Sequence, residues 1–371
     1  MFELPDCIPT VEELCSQEIN IDRIETSGGQ SELQNLETQN QFIVGDNLQG
    51  LIYLLKNDIS VDLVYMDPPF ATGRMFNMGD SEGKGVNQFS NKGETAYEDT
   101  QSLADYLKDI AKRFVLIREV LSNNGSIYVH IDNERAPYLK ILLDHIFGFQ
   151  MYQNTITRVK CNPKNFSRDA YGNMTDKILF YSKTGDHIWN DPRQDYTDEQ
   201  LERLFKKTDE DGRHYTTTPL HAPGETEDGA TGQPWNGREP PEGRHWRHPP
   251  EELQQLDDDD MIYWSSNGNP RKKRYADESD GPKRQDLWDS FKDPQSKQYP
   301  TQKPVDLLKT IILASSDEDS TVLDPYAGGG TTLVAAEETG RDFIGMDISN
   351  ESVDTVQNRL DDAVFETIFI E

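Results

Sequence analysis

Cysteine is scarce in this chain of 371 residues: Cys7, Cys15 and Cys161 are the full set, odd in number and without metal-ligand spacing. That excludes a disulfide framework and a cysteine-ligated zinc site, and it fits a reducing compartment. Long apolar runs are missing as well. No stretch approaches the roughly 20 residues a bilayer span needs, and the opening MFELPDCIPTVEELC lacks the basic-then-apolar order of an export signal. A soluble, cytoplasmic protein with no membrane partner is expected. His245 and His248 are the one close histidine pair and have no cysteine nearby, so no metal site is expected. Positive charge is also short: 37 Lys and Arg stand against 67 Asp and Glu, a formal net charge of -30. An excess of that size without a core signals disorder, but 15 Phe, 15 Tyr and 5 Trp argue for a folded chain with an acidic coat. Because the acids run along the whole length, the coat suggests a halophilic source, where salt screens the self-repulsion.

The stretch with the most to say is Val61 to Phe70, VDLVYMDPPF. Its apolar run suits a central parallel strand buried on both faces, and two prolines forbid it to continue. Asp67 is thereby delivered at a carboxyl end, the edge of an open α/β sheet where ligands bind. An ordinary strand followed by a Pro-Pro turn is the plainer alternative for this motif alone.

Taken in order, residues 1 to about 40 are polar and weakly patterned, and a loosely attached acidic arm is expected. Phe42-Ile43-Val44 begins the ordered part, and Gly45-Asp46-Asn47 closes that strand ahead of helical spacing at Leu48, Leu51, Ile52 and Leu55. Asp46 suits a helix cap as well as a ligand contact. From Ala71 to about Thr100 a loop beside the site is expected. A helix over 102–121, a strand at Ser126 to Ile131, a helix through Tyr138 to Ile146, and a strand pair at Thr155 to Val159 and Ile178 to Ser182 follow. That alternation marks a doubly wound, Rossmann-like α/β sheet.

Between about 185 and 299 the texture turns irregular, rich in Pro, Gly, Trp and Arg. Arg238, Arg244 and Arg247, the run Arg271-Lys272-Lys273-Arg274, and Lys283 with Arg284 gather there, with Arg158, Lys160, Lys164 and Arg168 just upstream. On so acidic a protein, that gathering points to a nucleic-acid face, with a solvated charge run as the alternative.

Regular patterning resumes at Thr301-Gln302-Lys303-Pro304, which opens a helix. A strand at Thr321 to Leu323 leads into Asp324-Pro325-Tyr326-Ala327-Gly328-Gly329-Gly330-Thr331-Thr332, and the strand Phe343 to Met346 ends at Asp347. Glycines between strand and helix let backbone amides approach a ligand, and an acid ending the next strand is where nucleotide-binding sheets hold ribose hydroxyls. The loop is not a P-loop, since Thr331 stands where a lysine is required. Asp324 would repel a pyrophosphate. A ligand joining a nucleoside to a cationic amino acid, as S-adenosylmethionine does, suits the loop better.

These motifs together resemble the β arrangement of amino-methylating DNA methyltransferases, adenine-N6 or cytosine-N4, and are similar to type III restriction-modification methylation subunits. DPPF at 67 to 70, DPYAGGGTTLVAA at 324 to 336 and IGMDIS at 344 to 349 carry the resemblance. GDNLQGL at 45 to 51, TQKP at 301 to 304 and NFSRDAYGNMTDKILFYSK from Asn165 add to it. The resemblance implies a mixed seven-stranded methyltransferase sheet with circularly permuted motif order. It implies an acidic arm at 1–40, a catalytic half at 41–184, an inserted irregular target-recognition region at 185–300, and an S-adenosylmethionine-binding half at 301–371.

Carried over position by position, the resemblance implies that Asp324, Ala327, Gly328, Gly330 and Thr331 wrap the methionine part of S-adenosyl-L-methionine. Asp347 would bind its ribose, Thr301 with Lys303 its carboxylate, and Asp46 would lie nearby. Gly329 stands where the family often has Ser, and Tyr326 where Phe is usual. Asp67, Pro68, Pro69 and Phe70 would be catalytic: the Asp67 carboxylate and Pro68 carbonyl accept the amino protons of a flipped adenine, localising a lone pair otherwise delocalised into the ring, while Phe70 stacks on the base. The DNA contacts expected are Arg158, Lys160, Lys164, Arg168, Arg244, Arg247, Arg271, Lys272, Lys273 and Arg274. Double-stranded DNA is the implied partner, and a restriction endonuclease subunit and a homodimer are further partners the resemblance allows. Asp at position 67 favours adenine N6. Cytosine N4, a non-catalytic DNA-binding subunit, and methylation of RNA or protein amides are the alternatives.

Overall fold

Short apolar runs alternating with helical spacing fold as parallel strands joined by crossover helices, because parallel neighbours need a long connection. A computed structural model of the chain describes residues 8–27, 39–69, 75–77, 95–98, 102–163, 169–226, 228–294, 302–360 and 363–371, with backbone alone at 75–77 and 95–98. Phe70, Lys164, Arg168 and Thr301 lie outside the described residues. The chain divides into two compact units, Met1–Pro192 with Gln285–Glu371, and Arg193–Arg284.

The first unit begins with α1 (Val11–Cys15), β1 (Ile21–Ser27), β2 (Gln41–Val44), α2 (Asn47–Lys56), β3 (Val61–Met66), β4 (Met75–Asn77) and β5 (Thr95–Glu98). It continues with α3 (Leu103–Val120), β6 (Leu121–Ile131), α4 (Ala136–Leu143), β7 (Tyr152–Val159) and β8 (Thr175–Ser182). The second unit holds α5 (Asp198–Leu204), β9 (Lys207–Thr208), β10 (His214–Pro219), β11 (His221–Pro223), β12 (Arg244–Trp246), α6 (Pro250–Asp258), β13 (Ile262–Trp264) and β14 (Pro270–Tyr275). The chain then returns to the first unit as β15 (Leu287–Trp288), α7 (Val305–Ser315), β16 (Thr321–Asp324), α8 (Thr331–Glu338), β17 (Asp342–Asp347), α9 (Asn350–Arg359) and β18 (Phe365–Ile370).

One sheet organises the first unit, in the order β1-β18-β2-β17-β16-β3-β6-β8-β7-β15. Its middle, from β2 to β7, is the seven-stranded mixed sheet, in which β2, β17, β16, β3 and β6 run parallel and β8 alone is antiparallel to its neighbours. Val61, Leu63, Val64, Tyr65 and Met66 are all buried, which explains an unbroken apolar run: β3 is central and covered on both faces. Pro68 and Pro69 lack the N–H groups that would extend it. Gly45 is required where β2 ends, because a Cβ there would sit 2.6 Å from the Ile370 carbonyl oxygen of β18 and its φ is +149°.

Two expectations are corrected. The arm is not loose throughout, since β1 pairs antiparallel with β18 and the Arg23 guanidinium lies 3.6 Å from the centre of the Phe369 ring. All but the last of its side chains are exposed, so no apolar pattern advertised an element held by backbone ladder bonds. Within the stretch expected as plain loop, β4 pairs antiparallel with β5.

The second unit is more regular than the expected irregular insert. It carries a four-stranded antiparallel sheet, β13-β14-β10-β9, and a hairpin of β11 with β12. Leu220, Trp235, Trp246, Leu253 and Ile262 form its small core, and Trp235 stacks on Trp264 with ring centres 5.7 Å apart. Strands of two to six residues are too short for periodicity to reveal.

Candidate active site at the carboxyl edge of the sheet

Four parallel strands side by side deliver four carboxylates to one edge: β2 is followed by Asp46, β17 ends at Asp347, β16 ends at Asp324, and β3 is followed by Asp67. The register staggers them along the strands: Val44 lies opposite Asp347, Gly345 opposite Asp324, and Val64 opposite Leu323, so Asp46 stands two residues beyond Asp347, and Asp347 and Asp67 each stand two residues beyond Asp324. With strands about 4.8 Å apart, the row spans roughly 15 Å.

Each carboxylate is held differently. Asp347 is capped by backbone amides: Gly328 N–H donates to Oδ2 at 2.9 Å and Ser349 N–H to Oδ1 at 2.8 Å. Asp46 caps α2 by accepting from Leu48 N–H at 2.8 Å, and it also accepts from Arg113 at 3.0 Å. Asp67 pairs with Lys303 through Oδ2, while its Oδ1 is buried with no hydrogen-bond partner among the described residues. Asp324 accepts from Tyr326 N–H at 2.9 Å and from the Thr332 hydroxyl, and no Lys or Arg among the described residues forms an ion pair with it. Burial, with the charges of Asp67 and Asp347 adding to it, outweighs those hydrogen bonds and pushes Asp324 up to about 7.

The glycine loop wraps these acids because its backbone turns left-handed twice, at Gly328 (φ 50°) and Gly330 (φ 72°). A Cβ on Gly330 would also meet Val356 Cγ2 at 2.8 Å. Ala327 N–H donates to the Met346 carbonyl at 2.9 Å, tying the loop to β17. Arg359 of α9 donates to the Gly329 carbonyl and, at 3.1 Å, to the Thr331 hydroxyl.

Beneath Asp67 lies a buried polar network. The Tyr65 hydroxyl is 2.7 Å from His130 Nδ1, and His130 Nε2 is 3.0 Å from Asp176 Oδ2, an ion-pair distance off the hydrogen-bond axis. Burial opposes the charge on Asp176, but His130 and Arg158 together overcome it and hold its carboxyl down at about 2. Burial drives the Tyr65 phenol far up, with Asp67 and Asp324 adding to the effect.

Arg158 is a correction. It is fully buried, donating to Asp176, to Asp293 at 2.5 Å and to the Phe291 carbonyl at 2.7 Å, so it is an internal tie and not a DNA contact. Lys273 is a further correction: it is buried on β14, paired with Asp260 at 2.7 Å and lying near the Tyr215 ring. Alternation along the strand turned it inward. Arg271 is committed to Thr217 through two hydrogen bonds. Arg244, Arg247 and Arg274 are exposed, and Lys160 and Lys272 are half-buried. In the second unit, burial lowers the His221 pKa and the charges of Arg244, Arg271 and Arg247 lower it further, so these three arginines share one neighbourhood.

Sequence reasoning passed over Arg113, Asn47, Arg359, His130, Asp176 and His221. Arg113 alone left a signal, as a charged residue on the stripe Tyr106, Ile110, Arg113, Ile117 of α3.

The comparisons agree with this geometry. A family model described as DNA methylase matches residues 61–358. Among curated relatives, the type II methyltransferase M.EcaI of Enterobacter cloacae is 39% identical over 325 residues, covering 86% of this chain and 69% of that protein. The StyLTI Mod subunit of a type III restriction-modification enzyme from Salmonella typhimurium is 27% identical over 354 residues, covering 84% of this chain and 52% of that protein, so the chain spans about half of its length. The DNA adenine methyltransferase YhdJ of Escherichia coli is 52% identical over 63 residues, covering 17% of this chain and 21% of its own. With a family model spanning both the Asp67 strand and the glycine loop, the chain belongs to the DNA methylase family.

Proposed function

We propose that the chain transfers a methyl group from S-adenosylmethionine to the N6 amino group of an adenine flipped out of duplex DNA, within a restriction-modification system. The observation that carries this reading is two acids at the ends of neighbouring strands, Asp324 and Asp67, each with capacity that the described residues leave unused. Asp324 lies against a glycine loop without a cationic partner among the described residues, and Asp67 keeps a buried acceptor oxygen unused. The first suits a cationic ligand; the other suits an N–H donor.

The residues fit the cofactor. Asp324 would face its positive charge, the left-handed turns at Gly328 and Gly330 bring backbone close with no Cβ in the way, Ala327 and Thr331 line the same loop, and Asp347 would accept from ribose hydroxyls. Asp46 would border the same pocket. S-adenosylmethionine supplies the electrophilic methyl group when bound. Lys303 is shared: its ammonium pairs with Asp67, and a ligand carboxylate would compete for it.

Asp67 and the Pro68 carbonyl accept the amino protons, which localises the nitrogen lone pair toward the methyl group. As nitrogen gains the methyl it must shed one proton, and the Asp67 carboxylate is the base at hand. Phe70 is proposed to stack on the base and Thr301 to meet the cofactor. The arginines around His221, Arg244, Arg247 and Arg271, with Lys160, Lys272 and Arg274, are proposed to meet phosphates, and Lys164 and Arg168 are kept with them from sequence alone. Adenine is favoured by Asp at 67 and by the name of YhdJ. The Mod relative supports a partner nuclease, and the acidic coat supports a source with high internal salt. The test is mass spectrometry of nucleosides from duplex DNA incubated with the protein and methyl-labelled cofactor. Label in N6-methyladenine is expected; label in N4-methylcytosine, or in no base, rejects the assignment.

A further inference from the structure

Arg113 occupies a position on α3 where packing calls for an apolar side chain, and it is 7% exposed. All of its nitrogens are engaged: Nε donates to Asn47 Oδ1 at 2.5 Å, Nη2 to Asp46 Oδ1 at 3.0 Å, and Nη1 to the Asp109 carbonyl at 3.1 Å, with its carboxylate at 2.7 Å. Asn47, also buried, passes the contact on. Its Nδ2 donates at 2.7 Å to the carbonyl of Pro325, the residue directly after Asp324. One guanidinium thus fixes the turn after β2 and, through a single amide, the entry of the glycine loop after β16.

Stability alone gives little reason for a charge here. Buried ion pairs are often no better than well-packed hydrophobic side chains of similar volume, and two of the three partners, Asp46 and Asp109, have side chains 52% and 42% exposed. What an apolar residue could not do is hold the Asn47 amide oriented with its N–H toward Pro325. Asp46, likewise, receives both its cap bond and the Arg113 bond on the same oxygen, which fixes its carboxylate.

We propose that Arg113 is a positioning residue for cofactor binding, acting through Asn47 to hold the Pro325 end of the glycine loop in its binding shape. The inference rests on the reading of that loop as the S-adenosylmethionine site. The test is calorimetric binding of S-adenosylhomocysteine to the wild type, Arg113→Lys, Asn47→Ala, the double variant and Asp109→Asn, with thermal melting of each. Arg113→Lys and Asn47→Ala should each weaken binding about tenfold, and the double variant should be no weaker than the worse single one, because both break the same chain of contacts. Asp109→Asn, which touches Arg113 but not the loop, should stay within about twofold. In turnover, the singles should raise the cofactor KM while kcat at saturation holds.

Additive losses in the double variant, an equal loss in Asp109→Asn, or wild-type affinity in Asn47→Ala would each overturn the proposal. Should Arg113→Lys fail to fold, Asn47→Ala decides, since it keeps Arg113 and both carboxylates. A wild type that methylates nothing and binds no S-adenosylhomocysteine would instead reject the cofactor site itself.

Discussion

The acidic sheet edge of the first unit and the basic strand β14 of the other each gather like charges, acids from distant parts of the chain in one and adjacent cations in the other, yet the fold treats them differently. At the sheet edge the carboxylates are kept apart by strand spacing and answered one by one, by backbone amides, by Arg113 or by Lys303, with Asp324 left under-compensated. On β14 Lys273, expected to face DNA, is engaged by Asp260, just as Arg158 in the first unit is engaged by Asp176 and Asp293. A cation buried against carboxylates of its own fold is withheld from DNA, and only the partners each charge meets separate the two cases.

The largest effect that would sharpen this contrast is at Asp67. Asp67→Ala should lower methyl transfer about a thousandfold, with S-adenosylhomocysteine binding changed far less. Retained turnover in a single-turnover assay would break the assignment. Next comes Arg158. Arg158→Met should cost about 3 kcal/mol in urea unfolding, because Asp176 and Asp293 lose a buried partner, and should leave the salt slope of DNA binding unchanged. A changed slope at unchanged stability would restore it to the DNA face.

Asp324 offers a test by pH. Burial raises its folded value to about 7, above its unfolded value, so the free protein loses stability as pH climbs from about 4 to about 7 and levels off beyond. Binding of a cation that needs the ionised form runs the other way, strengthening by up to about tenfold per pH unit on approach to 7. Calorimetry at several pH values reads this, and Asp324→Asn should flatten the stability profile. The smallest effect is at an exposed cation: Arg244→Ala should reduce the salt slope of DNA binding by about one and leave thermal stability within about 0.5 kcal/mol. A steep salt dependence of the wild type across molar salt would count against a halophilic source.

Much of the site could be read from the chain because its signals are local. Asp67 before two prolines, Asp324 before a glycine loop and Asp347 ending a strand each depend on a few adjacent residues, whose strand-to-turn geometry hardly admits another outcome. The strands β1 and β18, the small sheet of the second unit and the corrected cations could not be read that way. β1 is held by ladder bonds that any side chain permits, and Lys273 turned inward through the phase of a short strand. His130, Asp176 and Arg158 come from three separate strands, so no spacing in the sequence could announce their network.

The sequence by itself determined which carboxylates end which strands, because apolar periodicity and the backbone limits of proline and glycine act over a few residues. Tertiary structure alone decided which charges are answered and which are left over. That outcome depends on partners such as Asn47 and Pro325, Lys303 and Asp67, or Arg158 and Asp293, which lie far apart in the chain and meet only after the sheet has formed.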